Sequence, residues 1–195
     1  MTQRVLSEAV VPRAGEARLA KQVALVVAGI ALLAIAAKIR VPMWPVPITM
    51  TTFAVLTLGA AYGPRLGLVT VLGYLGVGAL GFDVFAGSSA EAAGLTYMTG
   101  STGGYLLGYA LAAVALGFAA RAGWDRRLGT MALAMVIGNA LIYLPGVAWL
   151  GVLYGWDQPI LAWGLWPFLL GDALKLALAV LLLPAAWRLV GAARG

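Results

Sequence analysis

Apolar residues in this chain do not alternate with polar ones; they run in long blocks separated by short clusters of proline, glycine and charge. A helix rising 1.5 Å per residue needs about 20 apolar residues to cross a hydrocarbon core about 30 Å thick, so block length sets the first expectations. Residues 1–21 are polar, with Arg4, Glu8, Arg13, Glu16, Arg18 and Lys21 interspersed, and read as a disordered or surface-lying tail. The block 22–37 reads as the first spanning helix. Its Ala34-Ile35-Ala36 end resembles a signal-peptide cleavage site, but so long a charged tail is unusual before such a site, and the rest of the chain is equally apolar. Pro42, Pro45 and Pro47 then crowd residues 41–47. Proline lacks the N–H donor and restricts the residue before it, so this segment is expected to be an extracellular loop or a re-entrant hairpin, and a candidate wall of a binding site. A second helix is expected over about 49–62 and a third over 66–81, with Gly63-Pro64-Arg65 as the turn between them. Residues 82–97 read as a Gly/Ser-rich loop carrying Asp83 and Glu91. The fourth helix covers 98–120, a basic loop 121–127, the fifth helix 128–150 and the sixth 163–187. The expectation is an all-α integral membrane protein: one six-helix domain over 22–187, between tails 1–21 and 188–195.

Composition agrees with that pattern. Of 195 residues 63% are hydrophobic and 10% charged, against about half apolar in a soluble domain. The absence of Cys and His removes disulfides, thiolate chemistry, the commonest metal ligand and the usual general base, so no cofactor is expected and an enzyme is disfavoured. A net charge of +6 would suggest nucleic acid in a soluble protein. Here the cations gather at helix ends. Arg4, Arg13, Arg18, Lys21, Arg65, Arg121, Arg126, Arg127, Arg188 and Arg194 fall on one side, and only Lys38 and Arg40 on the other, with Asp83, Glu91 and Asp157. Both termini are therefore expected in the cytoplasm of a cell that carries the protein in its inner membrane. Trp149, Trp156, Trp163 and Trp166 flank the last outer loop as an interfacial belt would.

The most informative polar residues are Asp172 and Lys175, three apart in the sixth apolar block. Each charge at the centre of a spanning helix costs about 2.5–3.5 kcal/mol, and the i,i+3 spacing puts both on one face, which must look into protein or a wet cavity. The pair is either a ligand contact or a structural ion pair between helices. Gly100, Gly104, Gly108 and Ala112 recur every four residues and read as a close-packing ridge. Beside it, Thr102 and Tyr105 place a hydroxyl and a phenol at the outer end of the fourth helix. Asn139 is a lone amide in the fifth, able to meet a ligand or a neighbouring helix. Ala24, Ala28 and Ala31, with Ala34 and Ala36, leave a smooth surface on the first helix suited to docking a partner helix. Gly76-Val77-Gly78-Ala79-Leu80-Gly81 matches the dinucleotide fingerprint but ends an apolar span, without the strand before and helix after that the fingerprint needs. No Gly-Lys pair exists to build a Walker A loop. Any ATP-driven motor must be another subunit.

Three segments in order, Pro45-Val46-Pro47-Ile48-Thr49, Thr102-Gly103-Gly104-Tyr105-Leu106 and Gly171-Asp172-x-x-Lys175, resemble the BioY family, biotin-specific S components of energy-coupling factor transporters. The run 142–150 is similar to the family's fifth helix. The chain departs from the family at Thr51, where Gln is frequent, and at Ser101, where Pro is usual. The resemblance implies a membrane subunit that captures biotin outside and delivers it inward with a transmembrane coupling protein and ATP-binding subunits, in a lipid bilayer and without nucleic acid. Asp172, Lys175, Asn139, Tyr105, Thr102, Tyr97, Thr49 and Tyr143 are then the substrate-binding candidates, and Ala24, Ala28 and Ala31 the docking face for the coupling subunit. The chemistry is compatible, since biotin's ureido ring offers two N–H donors and one carbonyl to an acceptor-only Asp, a donor-only Lys and an Asn. Asp172 is expected about 13 Å below Trp163, near the midplane, with the ureido ring beside it. The carboxylate would lie near the outer loops, with Lys38, Arg40, Ser88 or Ser89. The alternative is a proton-coupled carrier with Asp172 as relay and Lys175 as counter-ion.

Overall fold

The computed structural model describes residues 4–10, 16–87 and 92–192. Its helices are α1 (Leu6–Val10), α2 (Glu16–Lys38), α3 (Thr51–Ala79), α4 (Gly94–Met98), α5 (Gly103–Arg121), α6 (Leu128–Tyr154), α7 (Ile160–Gly164) and α8 (Trp166–Ala192). Between α2 and α3 lies a two-residue antiparallel ladder, β1 (Arg40–Val41) with β2 (Ile48–Thr49), joined by residues 42–47. A single 3-10 turn, Trp124–Arg126, joins α5 to α6. Among the described residues five stretches are long and apolar enough to cross a membrane: Ala17–Lys38, Thr51–Ala79, Gly103–Arg121, Leu128–Tyr154 and Ile160–Leu189.

The second of these is not straight. Gly63 leaves the helical region at φ 79°, ψ 175°, a conformation that costs glycine little because it has no Cβ, and Pro64 then opens the next helical stretch without a donor to lose. A Cβ built on Gly67 would lie 3.3 Å from the Cα of Gly59. Eight residues along an unbroken helix separate two atoms by about 12 Å, so the chain doubles back and α3 is a helical hairpin.

Small residues bring the helices together around α5. More than half of the residues in the apolar stretches of α3 and α5 are buried, against 17% in α2 and 28% in α8, so α5 is central and α2 and α8 are peripheral. A Cβ on Gly104 would lie 2.2 Å from the Pro145 carbonyl and one on Gly108 2.6 Å from the Ile142 Cα, so the ridge faces α6. Gly100, expected to be the ridge's first member, lies before α5, where its carbonyl accepts from Trp149 Nε1 at 2.8 Å. On α8, Leu170, Leu174, Leu178 and Leu181 form an exposed apolar stripe at helical spacing.

Two other boundaries differ from the expectation. The fourth apolar block yields a short α4 and then a turn before α5 begins at Gly103; the sixth divides into α7 and α8 at Leu165, whose φ −133°, ψ −63° is not helical. Residues 4–10 are not a free tail. Val5 is fully buried against Gly63, Ser7 Oγ donates to the Tyr62 carbonyl at 3.2 Å, and Glu8 pairs with Arg121 at 2.6 Å. Arg13, Ser88, Ser89, Glu91 and Arg194 lie outside the described residues.

Candidate functional site: a hydroxyl-lined cavity at the hairpin end

The site forms where the β1–β2 hairpin closes over the bundle. Helical side chains lean toward the N-terminus of their helix, and the N-terminal end of α8 is the hairpin end, so Lys175 reaches back to that end. Its ammonium donates to the Thr49 carbonyl at 2.6 Å, to Asp172 Oδ1 at 2.9 Å and to Thr52 Oγ1 at 3.2 Å. An ammonium has three N–H bonds, and all three are engaged. Asp172, 5% exposed, accepts from Thr52 Oγ1 at 3.4 Å on Oδ1 and from the Tyr143 hydroxyl on Oδ2. The charge pair therefore sits level with β2 and the first turn of α3, toward the hairpin end of the bundle.

Around this pair is a tight cavity of about 40 Å³, room for on the order of three waters. Its polar lining is almost wholly hydroxyl: Thr49, Thr51, Thr52 and Thr102 with Tyr74, Tyr97, Tyr105, Tyr109 and Tyr143, and Lys175 at one side. Val46, Pro47, Phe85, Ala86, Leu106 and Phe168 supply apolar walls. Six of the eight binding candidates, Thr49, Tyr97, Thr102, Tyr105, Tyr143 and Lys175, thus meet on one cavity. Asp172 stands behind Lys175 and Tyr143. Asn139 is elsewhere: it lines a separate lateral groove between α6 and α8, together with Leu144, Leu169 and the far side of Tyr143 and Asp172. Its side-chain oxygen is buried there without a hydrogen-bond partner.

Two loops border the cavity. Phe85 stacks on Tyr97 at 5.0 Å between ring centroids and meets Tyr74 edge-on at 5.3 Å. Lys38 Nζ donates to Asp83 Oδ1 at 2.6 Å and to the Phe85 carbonyl at 2.9 Å, and Arg40 donates to the Ala86 carbonyl. Lys38 and Arg40 thus fasten the 82–87 loop. The hairpin loop is held by Ser101 Oγ, which donates to the Pro45 carbonyl at 2.7 Å, and by Trp44, whose ring meets Trp163 at 4.9 Å and Tyr154 at 5.7 Å. Tyr105 donates to the Gly164 carbonyl at 2.7 Å and so ties α5 to the α7–α8 break.

Sequence reasoning missed Thr52, Tyr74, Tyr109, Phe85 and Phe168. Tyr74 and Tyr109 carried a usable signal, since a phenol inside an apolar span needs a partner or a cavity. Thr52 carried only its nearness to the Pro-Val-Pro run.

A bundle of apolar helices that turns its hydroxyls and one ammonium onto an internal cavity, with one carboxylate behind the ammonium, defines a multi-pass all-α membrane protein with a small-molecule site. The chain belongs to the BioY family, which matches residues 3–192. It is 36% identical over 163 residues to a "Probable biotin transporter BioY" of Pyrococcus horikoshii, covering 84% of this chain and 94% of that protein. With the "Biotin transporter BioY" of Thermotoga maritima it shares 32% identity over 160 residues, 81% of this chain and 92% of the relative. Its fold is similar to a crystal structure of the S-component for biotin from an ECF-type ABC transporter, with a TM-score of 0.74 at 20% identity, over 90% of this chain and 95% of that one.

Proposed function

We propose that this chain is the biotin-capturing S component of an energy-coupling factor transporter, a membrane subunit for biotin uptake and not an enzyme. The observation that carries the reading, beside membership of the family, is Lys175 in the wall of a hydroxyl-lined cavity, paired with the buried Asp172 behind it. Hydroxyls both donate and accept, so they suit a ureido ring that presents two N–H groups and a carbonyl side by side. Because all three Lys175 donors and both Asp172 oxygens are already engaged, the ligand enters by exchange. A ureido N–H takes the place of the Tyr143 hydroxyl on Asp172, or the ureido carbonyl takes the place of the Thr52 hydroxyl on Lys175. One hydrogen bond is traded for another, and no buried charge is left bare. The 42–47 and 82–87 loops, through Val46, Pro47, Phe85 and Ala86, shape what the cavity admits. The apolar walls Val46, Leu106 and Phe168 receive its thiophane side.

The same reading takes the two arms of α3 as separate crossings, which makes six spans. Each arm is short for a full crossing, and the irregular backbone that completes it lines the cavity, where such backbone is tolerated. The end bearing Arg4, Arg65, Arg121, Arg126, Arg127 and Arg188 is cytoplasmic, as are both termini. Ala24, Ala28 and Ala31 are exposed on one face of α2, among Val23 and Val27, and form the docking face for the coupling protein that links the chain to its ATPases. Ala34 is half-buried and Ala36 buried, so neither contributes to it.

Calorimetry with biotin, biotin amide and a ring-modified analogue tests the site. Altering the ureido ring should weaken binding more than amidation does, because Lys38 and Arg40 are committed to the 82–87 loop and grip a carboxylate poorly. The opposite ranking would put the ligand upside down; no binding by biotin itself would end the proposal. Ala28→Trp should spare biotin binding but reduce co-purification with the coupling protein, and normal ATP-driven uptake by that variant would remove α2 from the interface. Uptake that collapses with an uncoupler at constant ATP would favour the proton-coupled carrier instead.

A further inference from the structure

At the end of the bundle opposite the cavity, α5 comes hard against the turn of α3: a Cβ on Gly117 would lie 2.2 Å from the nitrogen of Pro64. Just outside this crossing is a surface groove of about 700 Å³ between the two helices. Its lining is ordered by polarity. On α5, Val114, Phe118 and Arg121 follow at spacings of four and three, so the apolar pair lies toward the bilayer and the guanidinium at the rim. On the second arm of α3, which runs the other way, Arg65 is at the rim and Leu68 one turn deeper. Two antiparallel helices thus present the same gradient side by side.

The cations of the groove are under-used. Arg121 gives one Nη to Glu8, while its Nε is buried without a hydrogen-bond partner. Arg65 is exposed and has no side-chain partner among the described residues. A buried charged donor left unpaired is costly and calls for an acceptor at that spot. The acceptor must be anionic to match two guanidiniums, must sit at interface depth, and must carry an apolar part to cover the Phe118 ring, which is 61% exposed.

We infer that this groove is a binding site for one anionic phospholipid, its phosphate bridging Arg65 and Arg121 and an acyl chain lying along Leu68, Val114 and Phe118. The lipid would fasten the α3 turn to the end of α5, the same joint that Val5 and Glu8 of the N-terminal segment cover from the protein side.

The test is thermal unfolding of the full chain in detergent with added phosphatidylglycerol, phosphatidylcholine or inorganic phosphate. Phosphatidylglycerol should raise the midpoint by several degrees, less so at high salt, and the other two should not. Arg65→Gln should lose most of that shift while unfolding at the parent's temperature without lipid, since Arg65 has no side-chain partner among the described residues. Arg121→Gln should lose it too. The Arg65 variant keeps the test decisive if removing the contact with Glu8 prevents folding. Equal stabilisation by phosphatidylcholine would mean acyl packing alone, and equal stabilisation by phosphate a bare anion site; either result overturns the proposal. So does an Arg65→Gln variant that keeps the full lipid shift but no longer co-purifies with the coupling protein, which would give the groove to a protein partner.

Discussion

The two ends of the bundle each bury an aspartate, and they treat it in opposite ways. Asp172, at the hairpin end, has an ammonium at 2.9 Å, two hydroxyl donors and both oxygens engaged. Asp125, at the basic end, is fully buried in the turn between α5 and α6. There one oxygen accepts from Trp187 Nε1 at 2.5 Å and the other has no partner, while Arg126 lies over the Trp187 ring at 4.4 Å instead of meeting the carboxylate. A saturated pair beside a cavity can exchange partners with a ligand at little cost. A buried acid held by a single donor works as a tie: Asp125 fastens the end of α8 to the α5–α6 turn. Burial raises the Asp125 carboxyl above its ordinary pKa, against the opposing pull of the Trp187 N–H and Arg126. Polarity buried inside a membrane protein is thus not enough to mark a binding site; how it is partnered distinguishes the two ends.

The sharpest way to break this comparison is to remove the charges one at a time. Asp172→Asn and Lys175→Met should each lower biotin affinity on the order of 100-fold or more, since stranding one member of a buried pair costs about 3–5 kcal/mol, while leaving an inserted, folded protein. Calorimetry on the purified variants measures this. Parent-like binding by either would cancel the role given to the pair, and unfolding of both would make it a structural tie like Asp125. Next in size is Gly104→Leu. A branched side chain placed 2.2 Å from the Pro145 carbonyl forces α5 and α6 apart, and overpacking of this kind costs about 1–3 kcal/mol or more. A lower melting temperature and weaker biotin binding are expected, because the same two helices carry Tyr105 and Tyr143. Unchanged stability would mean the ridge does not pack as described.

The smallest effect belongs to Asp125→Asn. An acid whose pKa is raised by folding binds its proton more tightly in the native state, so its contribution is most favourable at low pH and is lost as pH rises from the ordinary value of 3.8 through the raised one. Asparagine keeps an acceptor for Trp187 and removes the titration. The variant should show a flatter dependence of melting temperature on pH, equal or greater stability at neutral pH, and parent-like biotin affinity. An affinity change near that of the Asp172 variant would erase the distinction between the two ends.

Much of this protein is written in the chain in a form that physics reads directly. Block length marks the stretches long enough to cross, because the hydrocarbon core has a set thickness, though not where they break, and Gly63-Pro64 announces a turn because glycine accepts positive φ and proline starts a helix well. The family segments around Thr49, Tyr105 and Asp172 likewise survive in one dimension. The sequence was silent about direction around each helix. In a soluble helix the apolar stripe marks the core, but in a bilayer the lipid-facing and core-facing sides are both apolar, so periodicity does not say which way a residue points. For that reason Asn139, no less polar than Thr52, lies in a lateral groove between α6 and α8, while Thr52 bridges the charge pair. Packing of α6 and α8 against α5 and the α3 hairpin decided that Lys175 faces the cavity with every donor engaged, that Asp172 stands behind it, and that Lys38 and Arg40 fasten the 82–87 loop at its side. Only tertiary structure can decide these things, because each depends on distances between residues up to 126 positions apart, as in the bond from Lys175 to Thr49.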